Sequence, residues 1–202
     1  MPLLEDGAAS GLLLVISGPG GVGKDTVIER LKELDPNLRS SVSFTTRPRR
    51  EYEVDDVHYT FVTIPRFQEL IGRNELLEHA VVNGHYYGTS KTRVEKLQQA
   101  GHDVILKIEV RGANQVREKR PDGIFIFLTP PSMEDLMVRR HKRGAESEEV
   151  MEQRQRLAEW EMSHAEFYDH IVVNDEVDRV SHEVLEVVRR ERGLRRSESG
   201  AR

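Results

Sequence analysis

The segment Ser17-Gly18-Pro19-Gly20-Gly21-Val22-Gly23-Lys24-Asp25-Thr26 carries the clearest chemistry in the chain. Gly18, four intervening residues, then Gly23 and Lys24 reproduce the spacing of a phosphate-binding P-loop. Glycines let successive backbone N–H groups converge on phosphate oxygens, and a helix opening at Lys24 adds the positive end of its dipole. Lys24 sets an ammonium beside the outer phosphates. Gly18 to Lys24, with Asp25 and Thr26, is therefore the candidate site for a nucleoside triphosphate. One position is irregular. The pattern calls for Ser or Thr after the lysine, with a hydroxyl for Mg²⁺, and this chain has Asp25 followed by Thr26.

A second set of polar residues begins with Ser41 to Phe61, SVSFTTRPRREYEVDDVHYTF. Further along come Glu75-Leu76-Leu77-Glu78, Asn83 to Thr89 (NGHYYGT), Gln115-Val116-Arg117, Pro130-Pro131-Ser132, Arg143-Gly144 and Val173-Asn174-Asp175. In this order the motifs resemble those of guanylate kinases, over about residues 11 to 190. The resemblance implies ATP and GMP as substrates with Mg²⁺ as cofactor. It implies a GMP phosphate site of Ser43, Arg47, Arg50, Tyr59 and Tyr87, where guanidinium forks and phenols suit a dianion. Guanine would be read by Glu78 and Thr89, with Glu109 at an acidic position of the family. A carboxylate accepts from guanine N1 and N2 together, and adenine has no N1 donor, so Glu78 would select against AMP.

Phosphoryl transfer also needs positive charge on the moving group. Arg139, Arg143 and Arg154 match arginines of an ATP-covering lid, expected over about 139–156. Arg140 and Arg156 read as solvated surface charges. Asn174 reads as an adenine contact or a turn residue. The chain departs from the family at two places. Lys107 stands where an acid is usual, and Asp25 stands where a hydroxyl is usual. A carboxylate displaced from position 107 to 25 would place Lys107 and Asp25 in salt-bridge reach, with Asp25 as a candidate Mg²⁺ ligand.

The elements that must hold these residues are legible as apolar runs. Leu12 to Ser17, Asp103 to Val110, Gly123 to Leu128 and His170 to Val173 read as buried strands. Lys24 to Leu34, Lys91 to Ala100, Ser132 to Arg143 and Glu146 to Phe167 read as helices, with Ser90 and Ser132 as caps. Alternation of strand and helix predicts an α/β fold, a three-layer parallel-sheet P-loop core. Ser41 to Gly88 breaks the rhythm and reads as an inserted acceptor subdomain with local antiparallel sheet, within bounds of about 41–90. Residues 1–10 are expected to be a flexible start, and 191–202, basic and nearly without apolar side chains, a disordered tail.

Bulk properties narrow the function classes. The chain has 202 residues, 37% of them hydrophobic and 32% charged, with net charge -5 from 30 basic and 35 acidic side chains. This balance speaks against general nucleic-acid binding. No run approaches the roughly 18 apolar residues of a membrane span. Cys is absent, which excludes disulfides and thiolate metal sites. The expectation is a cytoplasmic enzyme, monomer or homodimer, acting on small molecules. Two rivals stand beside it. Ribose bisphosphate kinases of phosphonate metabolism often carry Gly-Lys-Asp in the loop but lack much of the Arg/Tyr/Glu set. Non-catalytic guanylate-kinase-like scaffold domains typically have a degraded glycine loop.

Overall fold

The computed structural model describes residues 10–82, 84–141 and 148–200. In chain order the elements are β1 (Leu13–Ser17), α1 (Lys24–Leu34), β2 (Leu38–Ser40), β3 (Phe44–Thr45), β4 (Thr60–Phe61) and α2 (Ile64–Gly72). Then come β5 (Leu76–Val82), β6 (His85–Ser90), α3 (Lys91–Gln99), β7 (Asp103–Lys107), α4 (Val110–Lys119) and β8 (Ile124–Thr129). The chain closes with α5 (Met133–His141), α6 (Glu148–Met162), a short 3₁₀ turn, β9 (His170–Val173) and α7 (Val177–Gly200).

Five strands form the main sheet in the order β2-β7-β1-β8-β9, every pairing parallel. β1 is buried along its whole length, as a central parallel strand covered on both faces must be. Strand alternation divides the core. Leu14, Ile16, Ile105, Ile126 and Leu128 pack with Val27, Ile28 and Leu31 of α1 and Val180, Val184 and Val188 of α7. Leu13, Val15, Val104, Leu106, Phe125 and Phe127 pack on the other face with Val94 of α3 and Val110, Ala113 and Val116 of α4. The result is the three-layer architecture expected from the alternation of strands and helices. β1 lies between β7 and β8, so the loop leaving β1 opens at the sheet's topological switch point, where α/β sheets bind ligands.

The segment from 41 to 90 builds a second sheet, β4-β3-β6-β5, over its own small core of Phe67, Leu70 and Leu76. β3–β6 and β5–β6 run antiparallel, but β3–β4 is parallel. The expected local antiparallel sheet is present, with one parallel pairing added at its edge. The long connection between Thr45 and Thr60 returns β4 to the same end of β3, and this forces the parallel pairing.

The basic tail departs from expectation. It is helical: α7 runs to Gly200 instead of ending near 190. Arg192 pairs with Asp35 at 2.7 Å and with buried Asp103 at 2.6 Å, and Arg195 donates to the carbonyl of Asp122 at 2.9 Å. Ion pairs to distant carboxylates hold this segment where apolar side chains are lacking. The long helix expected from Glu146 to Phe167 is α6 followed by the 3₁₀ turn Ala165–Phe167. Most of the expected flexible start (1–9) lies outside the described residues, as does 142–147 within the expected lid. Among the described residues no helix is long and apolar enough to cross a membrane.

Candidate active site

The glycine loop takes the conformation its sequence prepares. Gly18 has φ 147, and a Cβ there would lie 2.2 Å from the carbonyl oxygen of Leu128. No side chain fits between β1 and β8 at this turn. Gly23 precedes the first residue of α1 and offers no side-chain cap, so no side chain of the N-cap residue covers the positive end of the helix. Lys24 folds back and donates to the carbonyls of Gly18 and, at 3.5 Å, Pro19.

The outer side of the loop is braced from elements far away in sequence. Asn174, 3% exposed after β9, donates its amide to the Val22 carbonyl at 2.7 Å. Arg139 of α5 donates to the carbonyls of Val22 at 3.1 Å and Asn174 at 2.9 Å. Arg140, expected to be a surface charge, instead donates to the Gly20 carbonyl at 2.7 Å and to the Arg154 carbonyl at 3.0 Å. Arg139 and Arg140 thus clamp the loop's carbonyls and turn its amides inward. A cleft lined by Gly21, Val22, Gly23, Thr26, Arg139 and Asn174 flanks this side. Arg154 is exposed on α6, and Arg143 lies outside the described residues.

On the inner side, Lys24 shares a pocket with Ser43, Tyr59, Glu78, Tyr87, Lys107 and Glu109. A wider cleft continues from it to Asp25, Arg47 and Arg50. The residues expected to hold the acceptor are therefore brought together, and Lys24 of the triphosphate loop faces them. Arg47 is fixed by a bidentate pair with buried Glu53, at 2.6 and 3.1 Å, and lies 5.6 Å from the Tyr59 ring centroid. Glu53 also accepts from the backbone N–H of Arg50 at 2.8 Å. The Arg47 guanidinium holds the Glu53 carboxyl down at about 2, against the cost of burial. Arg50 is exposed and donates to the Tyr52 hydroxyl at 2.8 Å. Tyr59 and Tyr87 meet edge to face at 5.9 Å. Glu53 was missed by sequence reasoning as a site residue. It is one of four acids between Glu51 and Asp56, and nothing in the local sequence singles it out from the others.

Glu78 is 3% exposed on β5, and the Thr89 hydroxyl of β6 donates to it at 2.7 Å. Burial pushes the Glu78 carboxyl up to about 7, outweighing the Thr89 hydrogen bond and the charge of Lys119. α4 comes so close that a Cβ at Gly112 would sit 2.6 Å from Glu78 Oε2. Gly112 therefore admits the carboxylate beneath the helix.

The pairing expected between the two departures is present: Lys107 donates to Asp25. Burial works to lower the Lys107 ammonium, but Tyr59 and Asp25 outweigh it and hold it above the usual lysine range. Lys107 also lies 5.9 Å from the Tyr59 ring centroid, so it ties α1 to the acceptor side of the cleft.

Comparison with known proteins agrees with this geometry. The guanylate kinase family model matches residues 10–191. A guanylate kinase of Desulfitobacterium hafniense is 49% identical over 167 residues, covering 83% of this chain and 84% of the relative. One from Rhizobium meliloti is 46% identical over 190 residues, covering 94% and 86%. The crystal structure of guanylate kinase from Anaplasma phagocytophilum superposes with a TM-score of 0.74 at 33% identity, covering 91% of this chain and 87% of that one. With the glycine loop, the braced Arg47 and the buried Glu78 converging on one cleft, the chain belongs to the guanylate kinase family of ATP:GMP phosphotransferases.

Proposed function

We propose that this cleft transfers the γ-phosphate of ATP to GMP or dGMP, giving ADP and the nucleoside diphosphate, with the following division of labour. The observation that carries the reading is the single pocket in which Lys24 of the triphosphate loop faces Ser43, Tyr59, Glu78 and Tyr87. The loop amides and Lys24 hold the β- and γ-phosphates of ATP. Arg47, Arg50, Ser43, Tyr59 and Tyr87 bind the phosphate of GMP, and Glu78, Thr89 and Glu109 bind its guanine. Arg139 and Asn174 keep the loop's shape beside the adenine cleft, and Arg143 and Arg154 supply charge to the transferring group.

The nucleophile is a phosphate oxygen of GMP that is already ionised, so the step needs no strong general base. The γ-phosphorus–oxygen bond to ADP breaks as the bond to the GMP oxygen forms. Rate acceleration comes from in-line placement and from cations set around the phosphoryl group. Among the described residues no group of three or more His, Asp or Glu side chains could hold a metal by itself. Asp25, next to Lys24 at the start of α1, is the residue that would hold an Mg²⁺ brought in with ATP. When bound, Mg²⁺ would neutralise phosphate charge. The cytoplasm is the proposed compartment, in keeping with a chain free of Cys.

A coupled assay of ADP release tests the reading, with GMP, dGMP, AMP and a ribose phosphate as acceptors, each with and without Mg²⁺. Turnover with GMP that depends on Mg²⁺ and is far above that with AMP is expected. Preference for the ribose phosphate would replace the reading with the sugar-kinase rival. Failure to bind ATP would favour a non-catalytic scaffold domain.

A further inference from the structure

One buried acid has no place in the contacts described above. Glu161 lies near the end of α6 and is 1% exposed. No donor among the described residues reaches its Oε2. Its neighbour is a second carboxyl, that of Glu109, which precedes α4 and lines the acceptor pocket with Lys24 and Glu78. Two ionised carboxylates in contact, one of them out of water, repel strongly, whereas a proton shared between them makes a short charge-assisted hydrogen bond.

The surroundings decide which carboxyl keeps the proton. Burial and then Glu109 push Glu161 up to about 9, while Lys24 on the glycine loop and Arg140 on α5 pull it down too weakly to ionise it. Tyr168, packed on Phe127, also faces both acids and has its own hydroxyl pushed up by burial. Burial would raise Glu109 as well, but the hydrogen bond from Glu161 and the charges of Lys24 and Lys107 hold it below the usual range. Glu161 is thus the neutral donor and Glu109 the ionised acceptor.

We propose that Glu161 is a positioning residue of the acceptor site: its carboxyl donates to Glu109 and fixes that carboxylate where the guanine pocket needs it. The inference rests on Glu109 being an acceptor-site group. The proton stays on Glu161 throughout the reaction. The arrangement links the closing end of α6 to the start of α4, two elements that sequence separation gives no reason to join. A group that only fills space at this position would leave acceptor binding indifferent to its hydrogen-bonding capacity.

The test compares Glu161→Leu, which removes the donor, with Glu161→Gln, which keeps a donor that cannot ionise, in the full chain. Losing a hydrogen bond to a charged group raises KM for GMP by about tenfold or more in Glu161→Leu, with KM for ATP changed less than about twofold. Glu161→Gln recovers most of that loss. Above about pH 9 the wild type loses GMP affinity faster than Glu161→Gln does, since only the wild type then sets two carboxylates together. GMP's own ionisation is common to both and cancels. If Glu161→Leu does not fold, infrared difference spectra of wild type against Glu161→Gln decide: a protonated-carboxyl band present at neutral pH only in the wild type is expected, and its absence overturns the proposal. Glu161→Gln as impaired for GMP as Glu161→Leu would also overturn it. So would both variants keeping the wild-type KM for GMP while melting earlier. A wild-type protein that does not bind GMP at all would instead sink the acceptor reading on which the inference rests.

Discussion

The two halves of the cleft are built in opposite ways. The donor half is made of backbone: a glycine turn, the uncapped N-terminus of α1, and carbonyls held back by Asn174, Arg139 and Arg140. The acceptor half is made of side chains whose charges are set before any ligand arrives. Arg47 is locked by Glu53, and Glu78 is buried against Thr89 under Gly112. A backbone cradle fits any nucleoside triphosphate because phosphates are common to all of them. Buried, oriented side chains discriminate, because a wrong base leaves them unpaired. Generality and specificity are thus assigned to separate materials in one cavity.

Substitutions that strike one half and spare the other break this comparison most sharply. The largest effect is expected from Lys24→Met, which removes the ammonium proposed to meet the outer phosphates of ATP. Its loss should lower kcat by about 10³-fold, on the scale of other single cations and donors in such transition states. Steady-state kinetics with GMP at saturation would check this, with circular dichroism to confirm folding.

Next comes Glu53→Gln. It removes the carboxylate that orients Arg47 and the Arg50 backbone, and leaves a half-buried guanidinium without its anion. KM for GMP should rise by about tenfold or more, with the melting temperature lowered, since breaking a desolvated pair is costly. KM for ATP should hardly move. An equal rise for both substrates would mean that the halves are not separate.

Glu78 sharpens the comparison through pH. Guanine N1 and N2 need an ionised acceptor, and burial pushes this carboxyl up to about 7. Lowering the pH from 8 to 6 therefore reduces the ionised fraction about tenfold and raises KM for GMP accordingly. Glu78→Gln should flatten that limb, leaving only the share due to the GMP phosphate itself. The folded-state value lies above the unfolded value of 4.5, so this group stabilises the unliganded fold most below that value. That contribution is lost as the pH rises through about 7, where GMP binding takes over.

The smallest expected effect is at the seam between the halves. The Asp25–Lys107 pair has side chains 70% and 38% exposed, so its removal should cost little stability. Its role in activity is a different matter. Asp25→Ser, Lys107→Asp and the double variant should show a coupling in kcat/KM of at least about 0.5 kcal/mol. Additive losses would make the two departures from the family pattern independent.

The difference between the halves also explains what could be read from the sequence. A backbone cradle writes itself into glycine spacing, so Gly18 to Lys24 was legible residue by residue. β1, β7, β8 and β9 were legible because short apolar runs bounded by breakers mark buried strands. β3 was not, because a strand two residues long leaves no periodicity. The side chains of the acceptor half were legible through family resemblance, but their supports were not. Arg140 acts on a carbonyl 120 residues earlier, and Arg192 on an acid 89 residues earlier. Arg140 read as solvated charge and Arg192 as part of a disordered tail, because local sequence carries no trace of such partners. Glu161 escaped notice for the same reason, placed in a charged helix whose burial only the fold reveals.

Acceptor recognition, on this reading, belongs to preset side chains that the donor cradle does not share. Calorimetric titration of ATP and, separately, GMP into wild type, Glu53→Gln and Glu78→Gln tests it most directly. GMP affinity should fall by about tenfold or more in both variants, with ATP affinity within about twofold of wild type. Parallel loss of both ligands, or unchanged GMP affinity in either variant, would contradict it.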